Sequence, residues 1–142
     1  MTIGIANDHR GLNLKQELTK YLKDLGYNII DYGTNTIEPT DYPIYAFKVG
    51  EAVKNQNIDF GILICGTGIG MSIAANKIDK VRCAKVDNID EAILSRKHNN
   101  ANVIAISENN INAKEIVKTF ITTDFSNEER HLRRVELIDN YD

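Results

Sequence analysis

Short, almost wholly apolar runs alternate with stretches of helical period along the whole of this sequence. Ile3-Gly4-Ile5-Ala6, Phe60–Ile64 and Asn102–Ile106 read as buried strands. After the first run the spacing changes: Leu14, Leu18, Tyr21, Leu22 and Leu25 fall on one face of a helix. Gly26 is its natural stop, since glycine accepts the left-handed position after a helix. Tyr27–Asp31 reads as a second strand, followed by the loop Tyr32–Thr40. A helix is predicted from near Asp41, with Pro43 in its first turn, where a missing N–H does no harm. A short helix through about Lys77 and a strand over Val81–Val86 come next. Asn88 with Glu91 three residues on predicts a capped helix to about Lys97, and Asn112 with Glu115 another to about Ile121. Ser126-Asn127-Glu128-Glu129 has the form of a capping box and starts a last helix, to about Ile138.

Strands that alternate with helices pair in parallel through right-handed crossovers. The expected fold is therefore α/β: one Rossmann-like, three-layer α/β/α domain over residues 1–142, with a five-stranded parallel sheet and an extra C-terminal helix. Ligands of such sheets bind outside the carboxyl ends of the strands. The segments of interest are thus Ala6–Gly11, Asp31–Asp41, Cys65–Gly70, Asp87 and Ser107–Asn110.

Charge narrows the partners. Seventeen basic against twenty acidic residues give a net −3, which offers no footprint for nucleic acid. No run of eighteen apolar residues occurs, so no membrane span is expected. The first residues lack the pattern of a signal peptide. Two cysteines do not make a disulfide framework, and a cytoplasmic thiol context is expected.

Cys65-Gly66-Thr67-Gly68-Ile69-Gly70 follows a strand and opens a helix. Glycine lets a backbone approach a ligand closely, and free N–H groups at a helix start attract anions. The same turn also serves a strand–helix junction with no ligand. It is not a Walker loop, for no Gly-Lys-Ser/Thr follows, and a dinucleotide fingerprint belongs after the first strand. Cys65 sits at the strand end beside a helix start, where the helix dipole can stabilise a thiolate, although a lone cysteine also serves as a small buried packing group. Cys83 lies mid-strand and reads as packing. His9, His98 and His131 do not combine with the cysteines at zinc spacing, so no metal is expected. Arg130 and Arg134 share a helix face and suit a phosphate through forked donors, or else pair with Glu128, Glu129 or Glu136.

Several segments together resemble ribose-5-phosphate isomerase B, in the wider group that includes the subunits of galactose-6-phosphate isomerase. They are Asp8-His9-x-Gly11-x-x-Leu14-Lys15, Thr40-Asp41-Tyr42-Pro43, Gly61–Lys77, Ser95-Arg96-x-His98-Asn99-x-x-Asn102-Val103 and Arg130-His131-x-x-Arg134-Val135. The resemblance implies interconversion of ribose 5-phosphate and ribulose 5-phosphate through an enediolate, in the pentose phosphate pathway, with no metal or cofactor. It implies Cys65 as the base, with Thr67 and His98 assisting ring opening. It also implies that Gly66, Gly68, Ile69, Gly70 and Asn99 hold the oxyanion, that Asp8, His9 and Tyr42 contact the sugar or its phosphate, and that Arg130 and Arg134 take the phosphate. A homodimer or homotetramer with the site between subunits is implied as well. A six-carbon substrate such as allose or galactose 6-phosphate is the near alternative, and a non-catalytic sugar-phosphate binder the remote one. Cys65 and His98 in one chain favour the ribose type, because the galactose-6-phosphate subunits divide these two features between them.

Overall fold

In the computed structural model, which describes residues 1–142, each apolar run becomes a strand and each periodic stretch a helix. The order is β1 (Thr2–Asn7), a 3-10 turn (His9–Gly11), α1 (Leu12–Asp24), β2 (Asn28–Asp31), α2 (Tyr42–Lys54) and β3 (Phe60–Cys65). Then follow α3 (Ile69–Ala75), β4 (Cys83–Lys85), α4 (Ile89–Lys97), β5 (Val103–Ser107), α5 (Ala113–Thr122) and α6 (Glu129–Asp139). All strand pairs are parallel, in the order β2-β1-β3-β5-β4. The chain reverses its direction across the sheet between β1 and β3, which opens a crevice at their carboxyl ends. It reverses again at the far side, where β5 inserts between β3 and β4.

Those reversals sort the helices onto two faces. Leu14, Leu18 and Leu22 of α1, Ala92 of α4, and Ile116, Val117 and Phe120 of α5 pack with Ile3, Ile5, Ile62, Ile64, Ile104 and Ile106. On the other face Ala46, Val49, Ala52 and Val53 of α2, with Met71, Ala74 and Ala75 of α3, cover Ala6, Leu63, Cys65, Val103 and Ala105. Side chains alternate along β3, so Ile62 and Ile64 enter one core while Leu63 and Cys65 enter the other. Burial on both faces explains why the strands read as continuous apolar runs. No helix is long and apolar enough to cross a membrane.

Two helix boundaries follow the sequence closely. Gly26 sits at φ +96°, and Tyr27 N–H donates to Leu22 O across it. Asn88 Oδ1 accepts from Glu91 N–H at 2.8 Å, while Glu91 Oε1 accepts from Asp87 N–H at 2.8 Å. Two expected caps do not form. Asn112 makes no side-chain bond into α5; its own N–H donates instead to Asn110 Oδ1. Ser126 does not cap α6, because its hydroxyl donates to Lys97 O at 2.7 Å and Asn127 turns to φ +58°. The helix therefore starts later, at Glu129. β4 is shorter than its apolar run, since it lies at the sheet edge and pairs with β5 alone.

Candidate active site

The crevice at the ends of β1 and β3 is built largely from backbone. Asp8 N–H donates to Ile64 O, which ties the two strand ends together. The Asp8 carboxylate is buried, and its Oδ1 accepts from Arg10 N–H at 3.0 Å and Gly11 N–H at 3.3 Å, capping the 3-10 turn. His9 and Thr40 bond reciprocally. Thr40 N–H donates to His9 Nδ1 at 3.1 Å, and His9 N–H donates to Thr40 Oγ1 at 3.3 Å. With Nδ1 accepting, the ring proton belongs on Nε2. The loop that carries Thr40 is pinned in turn at Thr34. Its carbonyl accepts from buried Lys15 Nζ at 2.7 Å and from Asn7 Nδ2 at 3.1 Å. Lys15 Nζ also donates to Asn35 Oδ1 and pairs with Asp31, so this buried ammonium is fully partnered.

Cys65 ends β3 and is only 5% exposed. Gly68 N–H donates to its Sγ at 3.1 Å. Gly68 holds φ +84°, a conformation that L side chains avoid, and a Cβ there would also lie 3.1 Å from the Ile106 backbone. Glycine at 68 is therefore what turns the loop back onto the sulfur. Thr67 is exposed, and its Oγ1 accepts from Ile69 N–H at 3.1 Å. The N–H groups of Gly66, Thr67 and Gly70 have no acceptor in the chain. The Tyr42 ring stands against Gly70, where a Cβ would come within 2.5 Å of Tyr42 Cζ. Ile69 is half exposed beside them. The arrangement sets a thiol against one amide donor, with further unpaired amide donors next to it that suit an anion.

Cys83 differs sharply. Burial pushes its thiol up to about 12, against a weaker pull from a hydrogen bond with Ser72. It is a neutral packing group, as its place in the strand suggested.

His98, Asn99, Arg130 and Arg134 do not join this cluster. α4 runs back along the sheet and ends at Lys97, just before β5 begins. His98 and Asn99 thus lie at the amino edge of the sheet, while Cys65 lies at the carboxyl edge. Six residues of β3 span about 20 Å between the edges. The His98 ring stacks on that of His131, with centroids 4.3 Å apart. His131, given no role by its sequence neighbours, is buried. Burial and the nearby His98, Arg130 and Arg134 push its pKa down, against Glu128. Arg130 pairs with Glu128 at 2.8 Å, and Arg134 is exposed one turn further along α6. Asn99 opens on a cavity of about 410 Å³ shared with Arg82, Cys83 and Ile138. The turn that presents His98 and Asn99 is braced by Arg96, whose Nη1 donates to Asn100 Oδ1 at 2.9 Å and Ala101 O at 2.6 Å.

Arg10 was visible in the sequence only as a neighbour of His9. Its guanidinium lies flat over Gly66, where a Cβ would fall 3.2 Å from Nη1, and its Nη2 pairs with Glu108 at 3.2 Å. Neither period nor spacing marks such a contact, which joins the ends of β1, β3 and β5.

A family model described as Ribose/Galactose Isomerase matches residues 3–138. The chain is 42% identical over 139 residues to ribose-5-phosphate isomerase B of Escherichia coli, covering 96% of this chain and 93% of that protein. A solved ribose-5-phosphate isomerase B of Clostridium thermocellum superposes with a TM-score of 0.94 at 46% identity, covering 98% of this chain and 95% of that one. The Mycoplasma genitalium structure of that enzyme, with bound ribulose-5-phosphate, gives 0.92 at 41% identity over 99% and 95% of the two chains. The full-length match, in sequence and in fold, means that this chain belongs to the ribose/galactose isomerase family.

Proposed function

We propose that the chain is a ribose-5-phosphate isomerase of the B type, acting in the pentose phosphate pathway in the cytoplasm. The observation that carries the mechanism is Cys65 Sγ at the end of β3, held by Gly68 N–H beside the free amides of Gly66, Thr67 and Gly70. Cys65 takes the proton from C2 of the open-chain aldose. The C–H electron pair becomes the C1–C2 double bond, and charge collects on the enediolate oxygens. Fixed amides stabilise that anion more than the neutral sugar, so they lower the barrier and not merely the ground state. Return of the carbon-bound proton to C1, with the hydroxyl proton passing from O2 to O1, gives the ketose. Thr67, exposed on the same loop, assists ring opening, and Asp8, His9 and Tyr42 hold the sugar.

His98, Asn99, Arg130 and Arg134 complete the pocket from a second copy of the chain. A twofold axis that seats one copy's amino-edge cluster on the other's carboxyl-edge crevice does the same in reverse, so a homodimer has two whole sites. His98 then assists ring opening, Asn99 holds the enediolate, and the two arginines take the phosphate. The phosphate supplies binding energy remote from C1 and C2 that positions them for proton transfer.

Relative kcat/KM of the purified chain for ribose 5-phosphate against allose and galactose 6-phosphates tests the substrate. The five-carbon sugar is expected to lead, and a six-carbon preference overturns the assignment. Ribulose-5-phosphate in the Mycoplasma genitalium relative supports the five-carbon reading.

A further inference from the structure

Every arginine of the chain except Arg10 sits at the amino edge or on α6. Arg82 pairs with Asp139, Arg96 braces Asn100 and Ala101, and Arg130 pairs with Glu128. Arg133 and Arg134 lie on α6. At the carboxyl edge the other cations are engaged elsewhere: Lys15 is buried against Asp31, Thr34 and Asn35, and Lys85 pairs with Asp87. Arg10 is therefore the one guanidinium facing the Cys65 loop.

Its placement is fixed from both ends. The Asp8 carboxylate holds the Arg10 backbone N–H at 3.0 Å, and Glu108 holds the far end of the side chain at 3.2 Å. Glu108 is itself anchored to the loop, since its N–H donates to Cys65 O at 2.9 Å. Ser107 Oγ donates to Gly66 O at 2.8 Å beneath the guanidinium. Such bracing is not explained by stability, because the Arg10 side chain is 58% exposed and an ion pair that open adds little. The guanidinium bonds to no group besides Glu108, so most of its forked N–H donors remain available. Planar forked donors match a phosphate's oxygens two at a time. His9, the preceding residue in the same turn, has its Nε2 donor available as well.

We propose that Arg10 is a further substrate-binding residue, which grips the phosphate dianion from the Cys65-bearing subunit while Glu108 holds its orientation. This rests on the isomerase reading and deepens it: Arg130 and Arg134 approach the phosphate from the partner copy, and Arg10 closes it from the other side. The acidic Asp8 and Glu108 would otherwise leave this half of the pocket repelling a dianion.

The test is steady-state kinetics of Arg10→Ala and Arg10→Lys, with inorganic phosphate as a competing ligand and unphosphorylated ribose as a second substrate. Arg10→Ala is expected to raise KM for ribose 5-phosphate and the phosphate inhibition constant together, by ~10–100-fold, the range of a charge-assisted pair. kcat is expected to stay within about twofold, and Arg10→Lys to fall between, since it keeps the charge and loses the fork. Turnover of unphosphorylated ribose is expected to be the same in all three proteins. An unchanged KM, or an equal loss with both sugars, overturns the assignment. If the wild type isomerises neither sugar, the isomerase reading fails by itself. Calorimetric titration of wild type and Arg10→Ala with inorganic phosphate then still decides the role of Arg10, with equal affinities overturning it.

Discussion

The two thiols of the chain meet different surroundings. Cys65 meets an amide donor at 3.1 Å, whereas burial raises the Cys83 thiol to about 12. Cys65→Ala is expected to lower kcat by ~10²-fold or more, the scale of general-base loss, while the fold's circular dichroism is unchanged. Cys83 labelling by a thiol reagent in the native protein should remain slow through pH 9, where an ordinary thiol is already largely ionised. Rapid labelling of Cys83 at that pH would contradict the burial argument. The sequence distinguishes these cysteines by position alone, one at a strand end and one within a strand. It does not show the Gly68 N–H contact, because that contact depends on a loop conformation at φ +84° which no pattern of residue types specifies.

Helix ends show the same limit from another side. α1 and α2 end in one geometry, with a residue in the left-handed region and an amide bonded back across it. At Gly26 the residue type announces it. At Gln56, φ +60°, the same turn is hidden behind an ordinary side chain, with Asn57 N–H donating to Ala52 O at 2.9 Å. Gln56→Gly should therefore stabilise the fold by ~0.5–1 kcal/mol, the left-handed cost relieved less the extra freedom of the unfolded chain. Urea unfolding measures it, and a lowered midpoint would count against the strain. The Ser126 motif was legible but misleading, since its hydroxyl serves the end of α4 in place of its own helix. α6 carries a pH dependence too. The pKa of His131 is depressed in the fold, so the neutral ring's contribution is intact above about 6.5 and lost as pH falls below it. Between pH 7 and 5 the wild type should lose more melting temperature than His131→Gln does.

At the scale of the molecule, alternation of apolar runs and helices was enough to give the layers and the parallel sheet. It could not give the placement of β5 between β3 and β4, because that order depends on long-range packing choices invisible to local period. Nor could it show that Cys65 and His98 stand at opposite sheet edges, although both were legible as candidates. That separation predicts complementation. Cys65→Ala and His98→Ala should each be inactive or nearly so as homodimers. When equal amounts are denatured and refolded together, half the dimers are mixed, and each mixed dimer has one site with both residues intact. About one quarter of wild-type activity should return. No recovery would show that the two edges do not meet across subunits.

The length of the sheet then has a kinetic meaning. A gap of about 20 Å exceeds the reach of any side chain, so no loop closure or rotamer change within one chain can bring Cys65 and His98 together. If the two edges meet across subunits as proposed, the number of working sites follows an association equilibrium, in which dimer rises with the square of the chain concentration when monomer prevails. Progressive dilution should lower activity per milligram, and excess substrate, by bridging the two copies, should restore it.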